Sequence, residues 1–257
     1  MIGGGPGGLE AARIACMRGH RVTLFESAPD LGGKLNFAHH YLPYHELDYV
    51  REFLIDQVKK LDIEVRLKTP ATLAAVLAET PDLAIVATGS EIYAPQIAGD
   101  GSVPVVAYSR AAAGTKVVVM DEDGYFWASC MTEQLARRGC SVVYVTRFNV
   151  AFRELPQVSQ ICTLRALSEF GVTLKPSMYV ERVERGEVVL RHYYDRKHEE
   201  RIGGVSDVLW IGAQRARDKL GLQLREAGLN VRTIGDAFAP RHLAHAIAEG
   251  NRAARLI

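Results

Sequence analysis

The sequence has 257 residues, 48% hydrophobic and 24% charged, with a formal net charge of +1. That length can bury a sizeable core in one large domain or two nested ones. The balance excludes a disordered chain, and no long basic or acidic block marks a nucleic-acid or membrane-surface partner. No apolar run approaches the ~20 residues of a membrane span, and the given residues are not expected to include a secretory leader. The four cysteines, Cys16, Cys130, Cys140 and Cys162, have no C-x-x-C spacing. They read as buried thiols of a reducing, cytoplasmic compartment, without a disulfide framework or metal site.

The opening stretch, MIGGGPGGLEAARIACMRGHRVTLFE, reads as strand end, glycine turn, helix, strand and acidic tip. Gly3, Gly5 and Gly8 form G-x-G-x-x-G. In such a turn the first glycine allows the tight bend. The second lets a pyrophosphate approach the backbone, and the third lets the helix lie close on the sheet. The helix expected over 6–18 starts at Pro6, which suits a first turn, and aims its N–H groups at the anion. Gly7 lies in the same turn. Glu26 ends the strand 21–25, where a carboxylate can accept ribose hydroxyls and would repel a 2′-phosphate. The context supports a dinucleotide or ADP site over a ligand-free glycine turn. Met1 and Ile2 are short for a central strand, which usually has about 5–6 residues. The sequence is therefore expected to start inside a longer polypeptide or to be trimmed at its start.

Gly32-Gly33 is a loop where the backbone can approach the nucleotide again. Lys34 faces either a phosphate or solvent. His39, His40, Tyr41, Tyr44 and His45 form a cluster read as surface or packing residues. A helix is expected over 46–61, a strand over 63–67 and a short helix over 71–78. The strand 83–87 ends in Thr88-Gly89, small residues that let the chain pass near a nucleotide.

Residues 116–146 then repeat the strand–helix–strand pattern without its glycines. Asp121 and Asp123 stand at the first two glycine positions and Phe126 at the third. Thr146 replaces the acidic tip, and Arg147 after it is the one residue favouring a 2′-phosphate. A helix over 158–170 and a strand over 172–176 follow. Antiparallel strands are expected within 179–201, turning at Arg185-Gly186, with their charges on a solvated face. The strand 208–211 is read as the return to the first domain. The last segment is a strand, then Gly235-Asp236, then a helix. There the Asp236 carboxylate can accept a ribityl or ribose hydroxyl, and the helix start at His242 and Leu243 faces the cofactor.

Taken together, GGGPGGLEAAR with Glu26, Ala87-Thr88-Gly89, IGDAFAPR at 234–241 and AIAEGNRAAR at 246–255 resemble the NADH:flavin oxidoreductase family, in its C-terminal nucleotide-binding part. The resemblance implies an α/β fold of two nested doubly wound, Rossmann-like domains. Residues 1–107 plus 206–257 would form an FAD- or ADP-binding domain. Residues 108–205 would form a degenerate NAD(P)-binding-like domain. It implies FAD, or alternatively ADP, held by Gly3, Gly5, Pro6, Gly7, Gly8, Glu26, Gly33, Lys34, Thr88, Gly89, Gly235, Asp236, His242 and Leu243. It also implies a partner chain or domain with an Old Yellow Enzyme-like barrel carrying FMN and an iron–sulfur cluster, and an electron-transfer protein. The degenerate second motif resembles the trimethylamine dehydrogenase branch, whose chemistry is oxidative N-demethylation. No catalytic acid, base or nucleophile is assigned to this chain. Three functions stay open: an electron-relaying FAD component, an ADP-bound structural module, and a self-sufficient NAD(P)H-dependent reductase.

Overall fold

The computed structural model describes residues 1–36, 46–93, 95–212 and 214–257. The expected His39–His45 cluster lies outside them. The chain divides into two compact units. The first takes the described residues up to Glu91 and from Gln214 onward, and the second takes those between.

The first unit is built on parallel strands. Ile2 bridges to Phe25 on one side and to Val86 on the other. Val22–Phe25 pairs with Ile63–Arg66, and Ala84–Val86 pairs with Val231–Thr233, both parallel. The spatial order is therefore third, second, first, fourth, fifth, that of a dinucleotide-binding sheet. Helices Pro6–Met17 and Leu243–Arg255 cover one face, joined by Glu46–Lys60 through the Leu9, Leu24, Leu54 and Val58 cluster. Short helices Leu73–Ala78 and Lys219–Glu226 cover the other, with Val76 and Leu224 packed on Val86. The strands are short but apolar, and Leu24, Ile85 and Val86 are almost fully buried.

The second unit has three layers. Its parallel sheet runs Val105–Val106, Val205–Ile211, Lys116–Asp121, Ser141–Thr146, Thr173–Pro176. Helices Phe126–Arg137 and Gln157–Glu169 cover one face, where Val117, Tyr144 and Leu209 meet Met131, Leu135 and Leu167. A second sheet covers the other face: Val118, Met120 and Trp210 pack on Val180, Val188 and Leu190. That sheet is mostly antiparallel, with the strands Met178–Glu184, Glu187–His192 and Glu199–Gly203. The second unit is thus α/β and Rossmann-like, but helices wrap only one side of it.

Three expectations need correction. The boundaries at 107/108 and 205/206 fall inside the second unit. Ala98–Gly99 and Val105–Val106 pair into its sheets, and Val205–Ile211 lies beside Lys116–Asp121. The strand 208–211 therefore does not return to the first unit. Its apolar run suits any strand buried on both faces, so nothing local says which sheet it joins. Secondly, the charged strands do not leave their charges free in solvent. Arg182, Arg191 and Arg201 converge on Glu199 at 2.9–3.2 Å. At a surface such pairs contribute about 0–1 kcal/mol each and chiefly hold register. Thirdly, Cys130 and Cys140 are buried, whereas Cys16 is partly exposed and Cys162 exposed on its helix. Among the described residues, no helix is long and apolar enough to cross a membrane.

Candidate nucleotide-binding site

The first unit brings both ends of the chain to one place, at the C-terminal edge of its sheet. Gly3 leaves the first strand with φ +103°, and a Cβ there would lie 2.4 Å from the Ala87 carbonyl oxygen. Gly8 is as constrained: its Cβ would lie 1.9 Å from the Gly3 carbonyl oxygen. Gly5 differs, with nothing nearer than 4.0 Å to a Cβ built on it. Its bare side is open for a ligand to reach the main chain. Pro6 starts the helix behind Gly5, and no side chain caps that helix. Its first-turn N–H groups and positive dipole end are left facing outward. On the far side of the helix, Gly7 permits contact with the terminal helix. A Cβ on Gly250 would lie 2.2 Å from the Gly7 carbonyl oxygen.

The Gly32-Gly33 loop crosses over this turn. The Gly32 N–H donates to the Gly4 carbonyl at 2.8 Å, and Gly33, at φ +54°, abuts the Gly5 Cα. Glu26 is buried at the strand tip. One of its carboxylate oxygens accepts from the Gly4 N–H at 2.6 Å, the other from the Ala28 N–H at 2.7 Å. The main chain thus fixes the carboxylate, and lone pairs remain for an incoming hydroxyl.

Thr88 and Gly89 meet the returning chain: Thr88 Oγ1 donates to the Arg217 carbonyl, and the Arg217 N–H donates to that of Gly89. Gly235, at φ +59°, starts a single 3₁₀ turn and donates its N–H to Glu249 at 2.7 Å. His242 is the N-cap residue of the terminal helix, and Leu243 is its first residue.

Lys34 is half-exposed, and the fold gives its ammonium three partners. Its ammonium bonds Asp236 Oδ2 at 2.7 Å, Ser90 Oγ at 2.5 Å and Gln214 Oε1. Asp236 also accepts from Ser90 Oγ at 2.8 Å and from the Arg241 N–H at 3.1 Å. Burial opposes its charge, but Lys34, the Arg241 N–H and Ser90 outweigh that, holding its pKa below the ordinary carboxylate value. Ser90, Gln214, Arg241 and Glu249 were not legible as site residues. The only local signal was that Ser90 directly follows Ala-Thr-Gly.

The equivalent place in the second unit is filled by the protein itself. Asp121 is fully buried, and it accepts from the Asp123 N–H at 2.7 Å, the Gly124 N–H at 2.8 Å and the Tyr144 hydroxyl. Its carboxylate takes the loop amides that a phosphate would need. The Phe152 ring lies 4.3 Å from that of Tyr144, and the Glu154 N–H donates to the Gly124 carbonyl, closing the loop. Arg147 pairs with Glu122 at 3.3 Å and lies over the Phe148 ring. Among the described residues, no group of three His, Cys, Asp or Glu side chains could hold a metal ion.

Residues 1–54 match the NAD(P)-binding Rossmann-like domain model. An NADH oxidase of Thermoanaerobacter brockii is 27% identical over 97% of this chain and 39% of its own length. A probable N-methylproline demethylase of Rhizobium meliloti (strain 1021) is 30% identical over 75% of this chain and 29% of its own. The histamine dehydrogenase of Rhizobium sp. 4-9 superposes with a TM-score of 0.89, at 27% identity, over all of this chain and 41% of its own. The chain is a homologue of the C-terminal part of the NADH:flavin oxidoreductases. It spans about two fifths of the length of the T. brockii and histamine dehydrogenase relatives. Its first unit has an open glycine turn, and in its second unit Asp121 closes the corresponding turn. The second unit is accordingly expected not to bind pyridine nucleotides. Anaerobic titration of the chain with NADH and NADPH should show no saturable binding there. Micromolar binding that Asp121→Ala alters would refute this and favour a self-sufficient reductase.

Proposed function

We propose that the chain is the nucleotide-bearing component of a multi-cofactor flavin oxidoreductase of the amine dehydrogenase and demethylase kind. The ADP moiety of FAD, or ADP itself, lies across Gly3–Gly8. The observation that carries this is the contrast within the turn: Gly3 and Gly8 are hemmed in by backbone, whereas Gly5 is open beside uncapped helix N–H groups. A turn built only to pack would have no need of the bare side at Gly5. A pyrophosphate carries about two negative charges and suits that opening. Gly7 and Pro6 shape the helix start, and Gly33 shapes the crossing loop. Glu26 takes the adenosine ribose, and Thr88 and Gly89 border the nucleotide.

FAD as an electron relay is the fuller reading, with His242 and Leu243 near the flavin half; the redox chemistry would be the cofactor's when bound. The chain supplies position and charge and no acid, base or nucleophile. A barrel carrying FMN and an iron–sulfur cluster, on a partner chain or domain, would hold the substrate amine, and an electron-transfer protein would take the electrons. ADP alone is the second reading. The observation favouring it is that Asp236, the acceptor a ribityl chain would use, is already engaged by Lys34.

The test is to denature the purified protein and identify the released nucleotide by chromatography, with a visible spectrum taken beforehand. Flavin absorbance supports the relay, and ADP without flavin supports the structural module. No adenine nucleotide in either form overturns the site. Glu26→Ala should weaken retention about tenfold to a hundredfold, the effect of losing charge-assisted hydrogen bonds of about 1–3 kcal/mol. Equal nucleotide content in that variant would remove Glu26 from the site.

A further inference from the structure

We propose that one end of the second unit's antiparallel sheet, around Tyr179, Tyr193, Tyr194 and Arg196, is a docking site for an acidic segment of a partner protein. This surface lies wholly in the second unit and does not depend on the nucleotide site proposed above.

The turn that joins Glu187–His192 to Glu199–Gly203 runs through Tyr193, Tyr194, Asp195, Arg196 and Lys197. Its main chain is held in place at several points. The Tyr193 N–H donates to the Ser177 carbonyl at 2.7 Å, and the Asp195 N–H donates to His192 Nδ1 at 2.9 Å. Arg191 donates through Nη1 to the Arg196 carbonyl at 2.7 Å. The Asp195 carboxylate accepts from the Lys197 N–H at 3.0 Å. Three rings continue edge to face, Tyr179 to Tyr193 at 6.4 Å between centroids and Tyr193 to Tyr194 at 5.2 Å. Tyr179, Glu181, Arg191, Tyr193 and Arg196 line a cavity of about 660 Å³ beside them.

Some of these groups are already spent. Arg191 holds both oxygens of Glu181, at 2.9 and 3.1 Å, and Glu181 also accepts from Arg182. Others are not. Among the described residues, the Tyr179 and Tyr193 hydroxyls and the Arg196 guanidinium have no hydrogen-bond or ion-pair partner, and neither has the Lys197 ammonium. Phenols, a guanidinium and an ammonium all donate to a carboxylate, and the charged donors bind it most strongly. A ligand confined to the cavity would leave Tyr194 in water. A peptide segment laid across the turn covers Tyr193 and Tyr194 together, which are 50% and 70% exposed. Tyrosine and arginine are the anchors of protein interfaces, and rings held in advance lose little entropy on docking. A nucleic acid would need a broader positive field, and here Glu181, Glu184 and Glu199 stand among the arginines of the same sheet.

The test is fluorescence anisotropy of a fluorescein-labelled peptide of alternating glutamate and tyrosine, titrated at low salt with the native chain and three variants. An alternating lysine and tyrosine peptide and a single-stranded oligonucleotide, labelled alike, are the comparators. The native chain should bind the acidic peptide saturably, about tenfold or more tighter than either comparator, and added salt should weaken that binding. Arg196→Glu and Tyr193→Ala should each weaken it about tenfold or more, the loss of one interface anchor. Arg165→Glu reverses the same charge at an exposed helix position of the same unit and should leave the affinity unchanged. Equal weakening in Arg165→Glu and Arg196→Glu overturns the docking site, because only overall charge would then matter. So does an acidic peptide that fails to bind, or an oligonucleotide that binds more tightly than the acidic peptide.

Discussion

Gly8→Ala is expected to destabilise the first unit by about 3 kcal/mol or more and to abolish nucleotide retention. The added Cβ would stand 1.9 Å from the Gly3 carbonyl oxygen, a backbone atom that cannot rotate aside. The helix would have to lift off the strand, and it has nowhere to go. Behind it, the Gly7 carbonyl already lies 2.2 Å from where a Gly250 Cβ would be. Overpacking a core costs about 1–3 kcal/mol where the neighbours can yield. Here they are main chain on both sides, so the upper end applies. Gly5→Ala is the control. Its backbone is extended at φ −79° and its bare side is open, so alanine fits the free protein. That variant should melt within about 1 kcal/mol of the native chain, as a surface change does, yet retain little nucleotide. Thermal melts with nucleotide quantification separate the two. A Gly8→Ala protein that melts like the native one would show that the turn is not held this way.

The second large effect belongs to Asp121. Asp121→Ala should cost about 3–5 kcal/mol, because the Tyr144 hydroxyl and two loop N–H groups lose their acceptor, at roughly 1–3 kcal/mol per orphaned buried group. The pH dependence is more diagnostic. Burial pushes the Asp121 carboxyl up to about 6, against the lowering effect of hydrogen bonds from the Gly124 N–H, Tyr144 and the Asp123 N–H. The same burial, together with the Asp121 charge, pushes the Tyr144 phenol up, so it stays a donor. An unfolded aspartate titrates near 3.9. Between about pH 4 and 6 the folded protein therefore holds a proton that the unfolded chain has released. Asp121 thus makes stability fall as pH rises through that window, by about 3 kcal/mol, with no further change above it. Asp121→Asn should remove that slope while keeping an acceptor in place. Denaturant midpoints measured across this pH range test it, and an unchanged slope in Asp121→Asn would assign the titration to another group.

The same two residues show where sequence reading reached and where it stopped. Gly8 was legible because the third glycine of a G-x-G-x-x-G that opens a helix after a strand lets that helix lie close on the sheet. Asp121 was legible only as a residue standing where a glycine was lost. The structure turns Asp121 inward, onto the loop amides and Tyr144, which lies 23 residues away. No local pattern encodes that partner. The corrected boundary has a similar origin: Val205–Ile211 is apolar whichever sheet it joins, and its hydrogen-bond partners alone decide.

For this protein the sequence by itself determined what is set within a few residues. That covers the glycine turn and the helix behind it, Glu26 at the tip of the next strand, the repeat of the strand–helix–strand unit, and the loss of glycines in the copy. Each rests on steric limits or periodicity that neighbours along the chain impose. Only the tertiary structure decided what depends on residues distant in sequence. Lys34 reaches Asp236 across 202 positions, and Asn251 reaches Glu10 across 241. Whether Asp236 is free to receive a ligand is therefore a property of the folded unit. A side chain's partner is chosen by where the backbone brings it, which its own sequence neighbourhood does not contain.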